Sequence, residues 1–230
     1  MTEDPLVTIS RALQEHCPTE GPRGVSSYVA LGDSFTAGTG SPDGVGWTDR
    51  IANSLRSRHP GFVYRNLAAD GATSADVIGQ LGEALQLEPD LVTVICGAND
   101  VLRSTRPDAL LYGRRLTEIF ERAQRAGPRV LVITATSPER WAFLPLGPRT
   151  RARVETGMRQ FNDVTRRVAR ANGVPCLDVA GHPGLSDRHN FAHDGLHPSP
   201  RGHARAARAF ADLLRDGYRV PIGHPEGDEA

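Results

Sequence analysis

The sequence predicts an α/β fold, a three-layer α/β/α sandwich around a five-stranded parallel sheet of flavodoxin-like form. Three observations predict it. Five apolar segments of strand length recur, at residues 25–31, 62–67, 91–96, 129–135 and 174–179. Segments with helical spacing of apolar residues separate them. Polar, glycine-containing motifs fall where the apolar segments stop. Strands that are apolar on both faces need cover on both, and intervening helices provide it. In such sheets ligands bind beyond the carboxyl ends of the strands.

In chain order, VSSYVAL at 25–31 is rich in β-formers and runs into Gly32. Residues 47–59 have helical spacing through Ile51, Ala52 and Leu55. After the strand at 62–67, residues 74–87 place Val77, Ile78, Leu81 and Leu85 on one helical face. LVTVIC at 91–96 is an unbroken apolar run. A helix over 107–126 opens at Pro107 and ends at Gly127. RVLVITA at 129–135 is a further buried-strand pattern, followed by a long helix over 151–172 that Gly173 stops. The strand at 174–179 precedes a last helix over 200–215, entered through Ser199 and Pro200. Residues 1–24 read as an extension with a short amphipathic segment, 25–216 as the domain, and 217–230 as a tail ending in a mobile PEGDEA.

With 230 residues, 39% of them hydrophobic, the chain suits one domain with a real core. Its 27 basic and 27 acidic residues cancel, which gives no electrostatic reason to expect nucleic acid or an acidic membrane as partner. Every basic residue other than histidine is Arg, so Schiff-base and Ser–Lys chemistry are excluded. Cys17, Cys96 and Cys176 are widely spaced and show no zinc pattern, as free thiols in a reducing compartment would be. The acidic N-terminus lacks the apolar run of a signal peptide, and no segment approaches about 18 continuous apolar residues. A cytoplasmic protein without a membrane span is expected. The sequence does not set the oligomeric state.

Four motifs carry chemistry. GDSFTAGTG at 32–40 follows the first strand and places Ser34 among small residues at the sheet edge; alone, it also reads as a capping serine. The second strand leads to ADGATS, where the backbone N–H of Gly71 is available to an oxyanion, or where Gly71 makes a left-handed turn before a helix capped by Thr73 or Ser74. The third ends in CGAND, where Asn99 offers a side-chain N–H or serves as a turn residue. HDGLHPSPRGH at 193–203 sets Asp194 three residues before His197 on a loop broken by Gly195 and Pro198. That spacing lets the carboxylate bond one imidazole nitrogen while the other faces a serine. Asp33 and Asp100 read as turn or cap acceptors, and Cys96 as a buried apolar residue. His189, His193 and His197 are four apart, but Gly195 and Pro198 argue against a helix that would align them with His203 around a metal. No metal or cofactor is expected.

These four blocks, in this order, resemble the SGNH hydrolase family, the GDSL esterases and lipases. The resemblance spans residues 32–197 and implies a serine hydrolase acting on a small-molecule ester or lipid, without cofactor. It makes Ser34 the nucleophile, His197 the base and Asp194 its orienting carboxylate. It makes the backbone of Ser34 and Gly71 and the side chain of Asn99 the oxyanion donors. CGAND departs slightly, since a glycine or other small residue often stands where this chain has Cys96. The loop SPERWAFLPLGPR at 137–149 follows the fourth strand, so Trp141 and Phe143 are expected either to wall the substrate pocket, with Trp47 on the opposite wall, or to pack on the extension or on another subunit. Two alternatives share the site: an acyltransferase passing the acyl group to an acceptor other than water, and a non-catalytic small-molecule binding module.

Overall fold

The computed structural model describes residues 23–225. Five parallel strands, β1 (Ser27–Gly32), β2 (Val63–Asn66), β3 (Leu91–Ile95), β4 (Leu131–Ala135) and β5 (Cys176–Leu177), form one sheet in the order β2-β1-β3-β4-β5. Among the described residues six α-helices connect them, α1 (Ser34–Ala37), α2 (Trp47–Arg56), α3 (Ser74–Gln86), α4 (Ala98–Leu102), α5 (Ala109–Gln124) and α6 (Pro148–Ala171), and α7 (Pro200–Asp212) follows β5.

The layers follow from alternation along the strands. Val29 and Leu31 of β1 and Val92 and Val94 of β3 face α3, α5 and α6, where they meet Leu81, Phe120 and Met158. Tyr28, Ala30 and Leu91 face the other way, onto Ile51 and Leu55 of α2 and Phe210 of α7. Both faces are thus buried, as a parallel sheet requires. The predicted three-layer sandwich is the observed one.

The expected boundaries hold to a few residues except at β5, which is two residues long. Pro175 has no N–H to give to the ladder. Beyond Leu177, the amides of Val179 and Ala180 turn to the hydroxyl of Thr136, at 2.9 and 3.0 Å, instead of a neighbouring strand. At the other end of the chain, Val220 and Ile222 are buried against the α2/α7 core, so the packed body runs past residue 216. The proposed extension, with Cys17, lies almost wholly outside the described residues, as does most of PEGDEA.

Candidate active site

All four motifs meet at the carboxyl edge of the sheet. β1 ends at Gly32, whose N–H and C=O are both held by the Gln80 amide of α3, each at 2.9 Å. Asp33 then caps α1, accepting from the Phe35 N–H at 3.1 Å. Ser34 is the first residue of that short helix and is 7% exposed. The backbone on both sides of the nucleophile candidate is therefore held before any substrate arrives.

His197 reaches it from the loop before α7. Its Nε2 lies 3.0 Å from Ser34 Oγ, and its Nδ1 lies 2.6 Å from Asp194 Oδ2. The other Asp194 oxygen accepts from the amides of Leu196 and His197 at 2.9 and 3.0 Å. Partial burial opposes ionisation of Asp194, but these bonds outweigh it and hold its carboxyl below the usual range. Asp194 is thus an anion at neutral pH, fixed on the imidazole. The loop is seated by close packing: a Cβ on Gly40, at φ +98°, would stand 2.9 Å from His197 Cβ and 2.3 Å from the Pro198 carbonyl.

Gly71 sits in the turn after β2 at φ +74°, and Arg103 donates to its carbonyl at 2.8 Å. Among the described residues, no backbone carbonyl accepts from the N–H of Ser34 or Gly71. Asn99, in the first turn of α4, donates to the Ala72 carbonyl at 3.1 Å and approaches Asp33 Oδ2 at 3.5 Å. Ser34, Gly71 and Asn99 are thereby tied to one another through their immediate neighbours. Asp33 is fully buried, and burial, reinforced by the nearby Asp100 charge, pushes its carboxyl up to about 7.

Asp33 and Asp100 are cap acceptors, as read from sequence. Asp100 takes the Ser74 N–H at 2.8 Å and its hydroxyl at 2.6 Å, at the start of α3. Cys96 is buried, and burial raises its thiol well above the ordinary value, so it is no nucleophile at neutral pH. The histidines go to separate partners: His189 to Asp187 at 3.0 Å, His203 to the Thr39 carbonyl at 3.1 Å.

The three residues expected to wall the pocket are placed differently from one another. Trp141 is 1% exposed and packs into the core beneath Phe35, ring to ring at 5.8 Å. Trp47 is 3% exposed, stacks on Phe210 at 4.2 Å and donates its indole N–H to the Phe35 carbonyl at 3.0 Å. Trp47 also lines a cavity beside Phe35, and the Phe35 ring lies 5.9 Å from that of His197. Phe143 alone of the three is half-buried, with its backbone carbonyl against Gly195, where a Cβ would stand 2.3 Å away.

Sequence reasoning missed the arginines that hold the loops. Arg188 donates to the carbonyls of Phe191, Ala192 and His193, at 2.8 to 3.0 Å, immediately before Asp194. Arg151 does the same for Trp141 and Leu144, at 2.7 and 2.8 Å. No sequence signal separates them from the other arginines.

Residues 30–205 match the profile of the GDSL-like Lipase/Acylhydrolase family. The chain belongs to that family. Membership places it among the ester hydrolases. This GDSL-family chain is 23% identical to an arylesterase of Vibrio mimicus over 199 residues, 86% of this chain and 92% of the relative. In fold it is similar to a lipase/acylhydrolase from Enterococcus faecalis, with TM-score 0.66, 23% identity, and 88% of this chain and 99% of the other covered. It is also similar to the acetylxylan esterase Axe2 from Geobacillus stearothermophilus, with TM-score 0.63, 22% identity, and 84% and 94% covered. No helix among the described residues is long and apolar enough to cross a membrane.

Proposed function

We propose that the protein hydrolyses small carboxylic esters through an acyl-Ser34 intermediate. The observation that carries this is the continuous chain from Asp194 through His197 to Ser34, at 2.6 and 3.0 Å. As Ser34 Oγ attacks the ester carbonyl, its proton passes to His197 Nε2. Asp194 stabilises the imidazolium and keeps Nδ1 as the protonated nitrogen. The negative oxygen is received by the backbone N–H groups of Ser34 and Gly71 and the Nδ2 of Asn99, donors fixed before charge develops. Collapse breaks the bond to the alcohol, which leaves with the proton from His197. A water then loses a proton to His197, attacks the acyl carbon, and releases the acid and free Ser34.

The tie between Asn99 and the Ala72 carbonyl supports this role, because it holds the amide beside Gly71 rather than in solvent. Phe143 is the side chain on the expected wall that a substrate meets, through its ring or its position against Gly195. The arylesterase relative makes aryl acetates the natural first substrates. The test is hydrolysis of p-nitrophenyl acetate by the protein and its Ser34→Ala variant, with products analysed in the presence of added alcohols. Acetate alone, lost in the variant, supports hydrolysis. Predominant transfer to the alcohol would make the enzyme an acyltransferase, and activity retained in Ser34→Ala would remove Ser34 from the mechanism.

A further inference from the structure

A cavity of about 350 Å³ lies under α7, on the α2/α7 side of the sheet. None of Ser34, Gly71, Asn99, Asp194 and His197 lines it, although Phe35 and Pro198, the next residues after Ser34 and His197, do. Its walls are mostly apolar: Ile95, Ala135 and Val179 from the strand ends, Trp47 from α2, Phe191 from the loop, Ala209 and Phe210 from α7. This volume is at the small end of the range for ligand sites, about 300–1,000 Å³, and fits a single short chain.

Thr136, Ser137, Arg208 and Asp212, the last held by Arg215, add polar lining, and one polar corner is built around Gly184. The Arg205 guanidinium lies against this residue: a Cβ there would stand 3.0 Å from Nη2 and 3.3 Å from Nε. Gly184 N–H donates to His182 Nδ1 at 3.0 Å, and Asn190 Nδ2 donates to the Gly184 carbonyl at 2.7 Å. Asn190 is 8% exposed, and its Oδ1 is buried with no partner among the described residues. Arg205 itself makes no hydrogen bond or ion pair with any described residue. A guanidinium without a carboxylate partner, at the edge of an apolar cavity, is matched by a ligand with an apolar tail and a carboxylate head.

We propose that this cavity is a second ligand site, separate from the Ser34 cleft, that binds an aliphatic monocarboxylate with its head on Arg205 and its chain against Ala209 and Phe210. The site stands whether or not Ser34 carries the reaction. On the reading above, its occupant belongs to the class of acid that ester hydrolysis releases.

The test is calorimetric titration of decanoate into protein whose Ser34 has been blocked by a fluorophosphonate and checked by intact mass. If no adduct forms, Ser34→Ala takes its place, so failure of the nucleophile and failure of this site are read separately. One decanoate is expected to bind per chain. Arg205→Gln, a change at an exposed position, is expected to weaken binding by about tenfold or more, the worth of a charged hydrogen bond. Decanol, of equal length and uncharged, is expected to bind more weakly by a similar factor. Ala209→Phe is expected to abolish binding by filling the space; if it does not fold, Arg205→Gln decides alone. Three results would each overturn the proposal: decanoate binding that vanishes once Ser34 is blocked, binding indifferent to Arg205→Gln, or no binding at concentrations up to about 1 mM.

Discussion

The two halves of the candidate site are built differently. Ser34 rises directly from β1, with Asp33 fully buried beneath it and Gln80 bonding both backbone groups of Gly32. His197 and Asp194 stand on a loop held by one isolated bridge, Phe191 to Pro198, and by the Arg188 guanidinium. The Asp194 side chain is 48% exposed, whereas that of His197 is 17% exposed. The proposed nucleophile is thus fixed by the core, and the proposed base is delivered by a clamped loop. The difference separates two kinds of damage. Changes near Ser34 should cost stability and rate together, and changes in the His197 loop should cost rate alone.

Breaking the chain itself has the largest expected effect. Ser34→Ala and His197→Ala should each lower kcat on p-nitrophenyl acetate by at least about 10⁴-fold, and the double variant should lose little more, because the residues act as a unit. Steady-state kinetics of the three variants check this. Trp141→Ala should destabilise the fold by about 3–5 kcal/mol through a cavity under Phe35, read from denaturant midpoints, whereas Phe143→Ala should cost far less stability and change KM. Asn99→Ala should lower kcat by about 10²–10³-fold as an oxyanion donor is lost, with KM nearly unchanged. Arg188→Ala should lower kcat by about tenfold with little change in melting temperature, since it frees three carbonyls of an exposed loop.

The smallest effect sharpens the comparison on the buried side. Asp33 shifts from 3.8 to about 7 on folding, chiefly through burial. Between those values the folded protein holds more protons than the unfolded chain, so this group makes stability fall as pH rises across that window. Asp33→Asn should flatten that part of the melting-temperature profile between pH about 4 and about 7 while keeping an acceptor for the Phe35 N–H. A profile parallel to the parent would remove Asp33 as its cause.

What was legible in the sequence follows the same division. Alternating burial on both faces of β1 and β3 is written in consecutive apolar residues, and the motifs stop where those strands stop. Local chemistry was equally readable: the Asp-x-x-His spacing, the Asp33 cap and Pro200 opening α7 behind the Ser199 cap. The packing of the two tryptophans was not, because a tryptophan has the same letter whatever its ring meets. Trp47 stacks on Phe210 and Trp141 packs on Phe35, partners that come from distant segments. Gln80 and Arg188 escaped notice for the same reason: a side chain that bonds a backbone leaves no pattern at the position it serves. β5 was shortened by a hydroxyl 43 residues earlier in the chain, at Thr136.

The central claim is that His197 activates Ser34, and covalent labelling addresses it most directly. Protein treated with a fluorophosphonate should gain the mass of one phosphonyl group, mapped to the peptide containing Ser34. The adduct should be absent in Ser34→Ala and form far more slowly in His197→Ala. A folded protein that takes no label, or one labelled at Ser34 equally fast without His197, would contradict the account.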